Sequence, residues 1–178
     1  NGLDLRALDV ELIQRALYEV GALWEANRVS VATEHLATAT VESLFTLVYP
    51  SLFVRERVGH SAIVSCVANE YHQVGAKMIA DILELNGWDG HFLGANIPVR
   101  DLLQMIDDTG PRFVGLSLAI YFNLGELLDA AEQIRARYPA LPILVGGQAF
   151  RWGGKEVVEA LPGTRLVGDL WAFEAVLK

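Results

Sequence analysis

The stretch SAIVSCVANEYHQVGAKMIADILELN, residues 61–86, decides the fold of the larger part of this chain. It begins with a β-rich apolar run at residues 62–67, which is typical of a buried strand. A polar loop follows, and residues 74–86 then form a predicted helix that ends at the turn-favouring pair Asn86-Gly87. A strand, a loop and a helix in this order are the building block of an α/β domain.

The same building block recurs towards the end of the chain. Further strands are predicted at residues 91–93, 113–117, 143–145 and 165–167, and helices at residues 99–108, 124–138 and 155–161. This alternation predicts the α/β fold class, with a five-stranded, doubly wound parallel sheet of the Rossmann or flavodoxin-like type. Such sheets bind ligands at the carboxyl ends of their strands, so a site is expected in the loops that follow residues 67, 117 and 145.

The first part of the chain has a helical pattern. Helices are predicted at residues 9–27, 31–48 and 51–57, and the first of them carries apolar residues at three- and four-residue steps. Asp9 and Ser30 are predicted as N-caps, because each is followed by a helical pattern and its side chain can accept a backbone N–H. We therefore predict an N-terminal helical cap, a small bundle over residues 1–58, followed by a sheet domain over residues 59–178.

Composition and charge narrow the class of protein. With 178 residues, 52% of them hydrophobic and 20% charged, the chain has the composition of a packed globular protein. Its net charge of −8 and its lack of a basic run argue against direct nucleic-acid binding by this segment. Cys66 is the only cysteine, which excludes an internal disulfide and favours a cytoplasmic location. No apolar stretch is long enough to predict a membrane span.

The loop after the first predicted strand carries a candidate metal ligand. Glu70, His72 and Gly75 lie immediately before or at the start of a predicted helix. Imidazole suits borderline transition metals such as cobalt, and a carboxylate two residues away can accept the other ring N–H and make the ligand more basic. On this short match alone, a turn or capping residue is the commoner role for a loop histidine. The choice between a metal ligand and a turn residue at His72 therefore depends on the other loops at the same edge of the sheet.

Two further loops carry small or polar residues at matching spacings. Forty-one residues separate Gly75 from Ser117, and Gly146-Gly147 begins 29 positions after that serine. The combined pattern resembles the cobalamin-binding domain of methionine synthase and its relatives, where it reads Asp-x-His-x-x-Gly, Ser-x-Leu and Gly-Gly. In that family the histidine displaces the dimethylbenzimidazole base of the cofactor from cobalt, and the resemblance assigns this role to His72.

The resemblance also implies a place for the displaced nucleotide tail. A slot beside the sheet must let the backbone approach a flat aromatic base without interference from Cβ atoms. Gly75, Gly146 and Gly147 are expected to line this slot, with Ser117 as a polar contact.

The helical part contains a second pattern, in which Trp24 is followed after nine residues by Glu34-His35. This pattern resembles the CarH-type photoreceptors, adenosylcobalamin-dependent regulators of carotenoid synthesis. In those proteins a helical bundle covers the upper corrin face, a tryptophan and a valine pack against the adenosyl group, and a glutamate hydrogen-bonds it. The resemblance assigns these roles to Trp24, Val31 and Glu34. Without the sheet pattern, a core anchor for Trp24 and a solvated helix face for Glu34-His35 would be the preferred interpretations.

Three positions depart from the family patterns. Glu70 replaces the usual aspartate, and Ala119 stands where the family has leucine. Glu25 stands where the CarH-type repressor has a histidine that ligates cobalt after light removes the adenosyl group. His35 therefore has two open roles, as a replacement cobalt ligand or as a support for Glu34.

Together, these resemblances predict a module that binds adenosylcobalamin and senses light, and that is not an enzyme. Photolysis of the cobalt–carbon bond is expected to alter the helical cap and to signal to a fused or separate output domain, such as a DNA-binding unit, a kinase or a second chromophore domain. A homo-oligomer is compatible with such signalling. The alternative is a corrinoid carrier protein for methyl transfer. A radical mutase ranks last, because 178 residues cannot supply its substrate barrel.

Overall fold

Residues 7–53 and 55–177 are described in a computed structural model of the chain. The chain divides into two compact units, Asn1–Phe53 and Val54–Lys178. The first unit is helical, and the second contains a five-stranded sheet. None of the helices in the described ranges combines the length and the apolar composition that a membrane crossing requires.

Within residues 7–53, the first unit contains two α-helices joined by a short turn. A π-helical segment, Leu8–Gln14, leads into α1 (Arg15–Glu25), and α2 spans Val31–Val48. Ser30 Oγ accepts the backbone N–H of Thr33 at 3.2 Å, which confirms the predicted N-cap. The cap satisfies a backbone donor that has no partner within the helix, so α2 begins at a defined residue.

Two predictions about the first unit are wrong. Asp9 lies inside the π-helical segment, so it is not an N-cap. A 3₁₀ turn spans Tyr49–Leu52, and the described residues between 53 and 57 are not helical, so the short helix predicted at residues 51–57 does not form. Pro50 has no N–H with which to continue the hydrogen bonds of α2, and this favours the tighter turn.

The second unit is a parallel sheet with helices between its strands. The strands are β1 (Ser61–Cys66), β2 (Asp89–Gly94), β3 (Val114–Ser117), β4 (Ile143–Gly146) and β5 (Thr164–Leu166). Their order is β2-β1-β3-β4-β5 and every pair is parallel, which confirms the predicted five-stranded, doubly wound sheet. The helices are α3 (Val74–Leu85), α4 (Val99–Thr109), α5 (Leu124–Arg137), α6 (Lys155–Glu159) and α7 (Leu170–Val176).

The last of these helices, α7, and its N-cap were not predicted from the sequence. Asp169 accepts the backbone N–H of Ala172 at 2.7 Å, as an N-cap aspartate does. The helix is short, so its apolar residues do not repeat often enough to form a clear pattern in the sequence.

The register of the central strands brings three strand ends to one edge of the sheet. Cys66, the last residue of β1, pairs with Ser117, the last residue of β3, and Ser117 pairs with Gly146, the last residue of β4. These strands are buried along most of their length because helices cover both faces of a doubly wound sheet. The loops after β1, β3 and β4 therefore start side by side.

Candidate functional site

A buried carboxylate and a half-exposed imidazole form the centre of the candidate site. Glu70 is fully buried in the loop after β1, whereas 47% of the His72 side chain is exposed. Glu70 Oε1 accepts the ring Nδ1–H of His72 at 2.6 Å and the backbone N–H of His72 at 3.0 Å. Because Nδ1 engages the carboxylate, a metal-binding role falls to Nε2, and the hydrogen bond makes Nε2 a more basic ligand.

The other oxygen of Glu70 reaches the loop after β3. Oε2 accepts the backbone N–H groups of Ala119 and Ile120 at 2.9 and 2.8 Å, and Asn123 Nδ2 is a further donor at 3.4 Å. Burial by itself raises the pKa of Glu70, but hydrogen bonds from the His72 ring and from backbone N–H groups outweigh it and lower the pKa to about 2. The carboxylate therefore stays ionised at physiological pH and ties two loops together.

Asn69, Asn96 and Asn123, which we call the asparagine triad, link the loops after β1, β2 and β3. Asn69 and Asn96 have left-handed backbones, with φ of +63° and +53°, which asparagine tolerates better than most residues. The N–H of Asn69 donates to Asn96 Oδ1 at 2.8 Å, and the N–H of Asn96 donates to Glu70 O at 2.8 Å. Asn123 Nδ2 donates to Asn69 O at 3.1 Å. Sequence reasoning missed this triad, whose one visible signal is an asparagine in each polar loop.

A buried thiol lies below the histidine loop. Cys66 Sγ donates to the backbone carbonyl of His72 at 3.7 Å. Burial, followed by the negative charge of Glu70, raises the pKa of the Cys66 thiol to about 12, against a smaller lowering by a hydrogen bond with the Ser117 side chain. The thiol is therefore neutral, and a neutral thiol is a poor metal ligand. Ser117, predicted as a polar contact for the cofactor, thus has a partner within the protein.

The three glycines predicted to line the slot differ in whether the structure would accept a side chain at their position. Apart from its chain neighbours and the nearby backbone of α3, a Cβ atom at Gly75 would have no atom within 4 Å. A Cβ atom at Gly146 would lie 3.3 Å from Val167 O. Gly147 has φ of +122°, and a Cβ atom there would overlap the carbonyl oxygen of Leu118. The backbone of the chain itself therefore requires Gly147, whereas a Cβ atom at Gly75 would lie in open space beside α3.

The helical unit places the predicted upper-face residues near the turn between α1 and α2. Trp24, in the last turn of α1, is 45% exposed, and Val31, at the start of α2, is also exposed. Glu34 accepts hydrogen bonds from His35 Nδ1 at 2.6 Å and from Thr38 Oγ1 at 3.1 Å. Trp24 is thus not a buried anchor of this unit. His35 supports Glu34 in the structure, and its role as a cobalt ligand stays a prediction.

The chain is similar in sequence and in fold to several known proteins. The HTH-type transcriptional repressor CarH of Myxococcus xanthus is 32% identical over 149 residues, which are 83% of this chain and 48% of that repressor. Dimethylamine corrinoid protein 3 of Methanosarcina acetivorans is 22% identical over 77% of this chain and 68% of its own length. The monomethylamine corrinoid protein of Methanosarcina barkeri has the same fold, with a TM-score of 0.80 at 15% identity over 96% of this chain and 82% of that chain.

Two family models, each described as a B12 binding domain, match residues 60–169 and residues 3–49. This chain spans about half the length of the CarH repressor. The identity to CarH and the match to the B12-binding models confirm the predicted resemblance to CarH-type cobalamin-binding domains. Since the first model alone covers more than half of the residues, the chain belongs to the B12-binding domain family.

Proposed function

We propose that this chain is a module that binds adenosylcobalamin and senses light. The observation that carries the proposal is the Glu70–His72 pair, an imidazole oriented by a buried carboxylate at the carboxyl edge of a B12-binding sheet. His72 Nε2 would ligate the cobalt of the bound cofactor, since the hydrogen bond to Glu70 already occupies Nδ1. When bound, adenosylcobalamin would supply a weak cobalt–carbon bond that light breaks.

The loops at the same edge of the sheet fit the nucleotide tail that His72 would displace. The open space around Gly75 leaves room for a ligand beside α3. Gly146 ends β4 in register with Ser117, so both lie beside the end of β1. We therefore assign Gly75, Ser117, Gly146 and Gly147 to the tail slot, with Gly147 required also by its own backbone.

The helical unit supplies the residues for the upper face in this proposal. Trp24 and Val31 present apolar surface on which an adenosyl group can pack, and Glu34 can accept hydrogen bonds from ribose hydroxyls. These contacts would hold the cap in one arrangement only while an adenosyl group is bound, so the cap would be free to adopt a second arrangement without it. Because CarH is an HTH-type transcriptional repressor, its similarity to this chain supports a DNA-binding output domain. A kinase, a second chromophore domain and a homo-oligomer are further routes for the signal. The chain itself then needs no catalytic activity.

Illumination of the reconstituted protein tests this proposal. Protein loaded with adenosylcobalamin in darkness is expected to change its visible spectrum irreversibly under green light, and backbone hydrogen exchange in α1 and α2 should become faster because the cap loses its ligand contacts. Protein loaded with cyanocobalamin is the matched control. An unchanged spectrum contradicts the photochemistry, and a changed spectrum with unchanged exchange contradicts the role of the cap.

Replacing Trp24 with alanine should lower the preference for adenosylcobalamin over methylcobalamin. We expect a loss of roughly tenfold, because an aromatic contact contributes about 0.5–1.5 kcal/mol beyond its buried area and 1.4 kcal/mol corresponds to tenfold. Competitive titration of the two cofactors measures the preference. Trp171→Ala is the control, since Trp171 is a similarly exposed tryptophan in the sheet unit. If both variants had the same preference for adenosylcobalamin over methylcobalamin, Trp24 would not contact the adenosyl group.

A corrinoid carrier for methyl transfer is the second candidate function. The similarity to a dimethylamine corrinoid protein and the high structural similarity to a monomethylamine corrinoid protein favour it. A carrier has no need to recognise an adenosyl group, so the two functions differ in the use of Trp24, Val31 and Glu34. Tighter binding of methylcobalamin than of adenosylcobalamin by the unmodified protein would reverse the ranking of the two functions.

A further inference from the structure

An arginine with unmade hydrogen bonds lies at the end of α5. Arg135 is in the last turn of this helix, and its Nη1 donates to the carbonyl oxygens of Tyr138 and Pro139 at 3.2 and 2.5 Å. These two bonds satisfy carbonyl groups that the end of the helix leaves without a partner. Its Nε and Nη2 are buried, and neither has a hydrogen-bond partner among residues 7–53 and 55–177. Support of the helix end therefore accounts for one of the three guanidinium nitrogens.

The turn between α6 and β5 packs directly against this guanidinium group. The N–H of Thr164 donates to Leu161 O at 3.2 Å and closes the turn. Gly163 within it has φ of +68°, and a Cβ atom there would overlap Arg135 Nη2. Thr164 is the first residue of β5, and its Oγ1 is also buried without a partner in the described part of the chain. The turn thus leaves room for the guanidinium and places a second unused polar group beside it.

Arg135 and Thr164 line the same cleft, which has a volume of about 290 Å³. Most of the other lining residues are apolar, namely Ala131, Ala136, Leu161 and Pro162. Small-molecule sites usually begin at about 300 Å³, and one water molecule takes up roughly 30 Å³ in the liquid. The cleft therefore suits a molecule of a few carbon atoms with a polar group at one end.

The unused nitrogens determine which polar group fits. Guanidinium groups carry a positive charge throughout the physiological pH range, and the N–H groups of Nε and Nη2 point in the same direction, at the spacing of two carboxylate oxygens. Buried donors without a partner are costly, so a ligand that pairs with them is favoured. A phosphate has more oxygens than the cleft has donors, and its remaining oxygens would lose water against apolar walls. A carboxylate is the better match.

We propose that this cleft binds a small organic acid. Its carboxylate pairs with Nε and Nη2 of Arg135 and accepts the hydroxyl of Thr164, while its apolar body contacts Leu161 and Pro162. Because both nitrogens are covered in the free protein, the Arg135 side chain turns towards the cleft when the acid enters. Thr164 is at the amino end of β5, whereas His72 follows the carboxyl end of β1 in the same parallel sheet. The site is therefore separate from the proposed cobalamin site, and nothing in it depends on cobalamin.

Titration of the full chain with hexanoate, followed by NMR, tests this proposal. The Nε–H signal of Arg135 should move to lower field as it gains a charged acceptor, and the backbone signals of residues 131–136 and 161–164 should shift with it. The result should be the same with and without adenosylcobalamin in darkness. Acetate should bind at least about tenfold more weakly, because each buried methylene contributes roughly fourfold. An unmoved Arg135 signal, equal affinities for hexanoate and acetate, or tighter binding of inorganic phosphate than of hexanoate overturns the proposal.

Arg135→Lys keeps the positive charge and removes the paired N–H groups. It should weaken hexanoate binding by about tenfold or more, as expected for lost hydrogen bonds to a charged group. Arg137→Lys is the matched control, since Arg137 is in the same turn of α5 but pairs with Asp107. Thermal unfolding checks that both variants fold. Equal hexanoate affinities of Arg135→Lys and the unmodified chain would contradict the assigned contact.

A variant with the opposite effect leaves Arg135 in place. Glu132 is the acidic residue in the lining of the cleft, and it is exposed. Glu132→Gln should bind hexanoate about twofold to fivefold more tightly, with a smaller gain at high salt, because it removes a repulsive charge. Glu156→Gln, an exposed glutamate of α6 outside the lining, is the control. A gain no larger than that of the control shows that the acid is not held in this cleft, even if Arg135→Lys fails to fold.

Discussion

Replacing His72 with alanine should lower the affinity for cobalamin by about 100-fold or more, beyond the loss typical for outer partners of a metal ligand. The variant removes the imidazole nitrogen that would ligate cobalt. It also leaves the buried Glu70 carboxylate without its ring N–H donor, which costs additional free energy. Titration gives the affinity. Electron paramagnetic resonance of the Co(II) form, with ¹⁵N-labelled histidine, shows whether an imidazole nitrogen is bound.

His91→Ala is the matched control for this experiment. His91 lies in β2 of the same unit, is partly buried, and has no assigned role. Its removal should leave both the affinity and the nitrogen coupling of the Co(II) signal unchanged. Suppose that the two histidine variants have equal affinities and that His72→Ala retains the coupling to ¹⁵N-labelled histidine. His72 would then not be the ligand, and the proposed function would lose its basis.

Gly147→Ala should lower the free energy of unfolding of the cofactor-free protein by about 3 kcal/mol or more. The backbone of Gly147, with φ of +122° and ψ of 165°, lies in a region that is essentially restricted to glycine and costs other residues about 1–3 kcal/mol. The added Cβ would also overlap Leu118 O, so the loop after β4 must move. Urea unfolding followed by circular dichroism measures the change.

Gly146→Ala provides a comparison at the neighbouring position. A Cβ atom there would lie 3.3 Å from Val167 O, a tight contact that a small shift relieves, and the backbone has no positive φ. We expect a clearly smaller loss of stability than for Gly147→Ala. If the two variants unfolded at the same urea concentration, the close approach between Gly147 and Leu118 would not be the reason for glycine at that position.

The sheet could be predicted from the sequence because its signals are local and repeated. Each strand is a short apolar run followed by a polar loop and a helix, as in residues 61–86, and five such runs leave few alternatives to a parallel sheet. The Ser30 cap could be predicted for the same reason, since the side chain and the N–H that it accepts lie three residues apart.

The rest of the site depends on contacts between distant residues, which periodicity does not reveal. The pairing of Glu70 with His72 follows from a spacing of two residues. The hydrogen bonds that Glu70 accepts from Ala119 and Ile120 instead depend on β1 and β3 being neighbours in the sheet. The hydrogen bonds that Asn123 donates to Asn69 and Glu70 depend on the same neighbouring strands. Asp9 was mispredicted because a cap signal cannot distinguish a helix start from a position within a longer helical segment.

The buried, neutral thiol of Cys66 can report how often the protein opens locally at the end of β1. An alkylating reagent needs both access and the thiolate, and in the closed protein this cysteine has neither, being buried with a pKa of about 12. Its rate of labelling therefore reports how often the end of β1 separates from its neighbours. Because the chain has one cysteine, the labelling rate reports on Cys66 alone, and no additional cysteine has to be introduced.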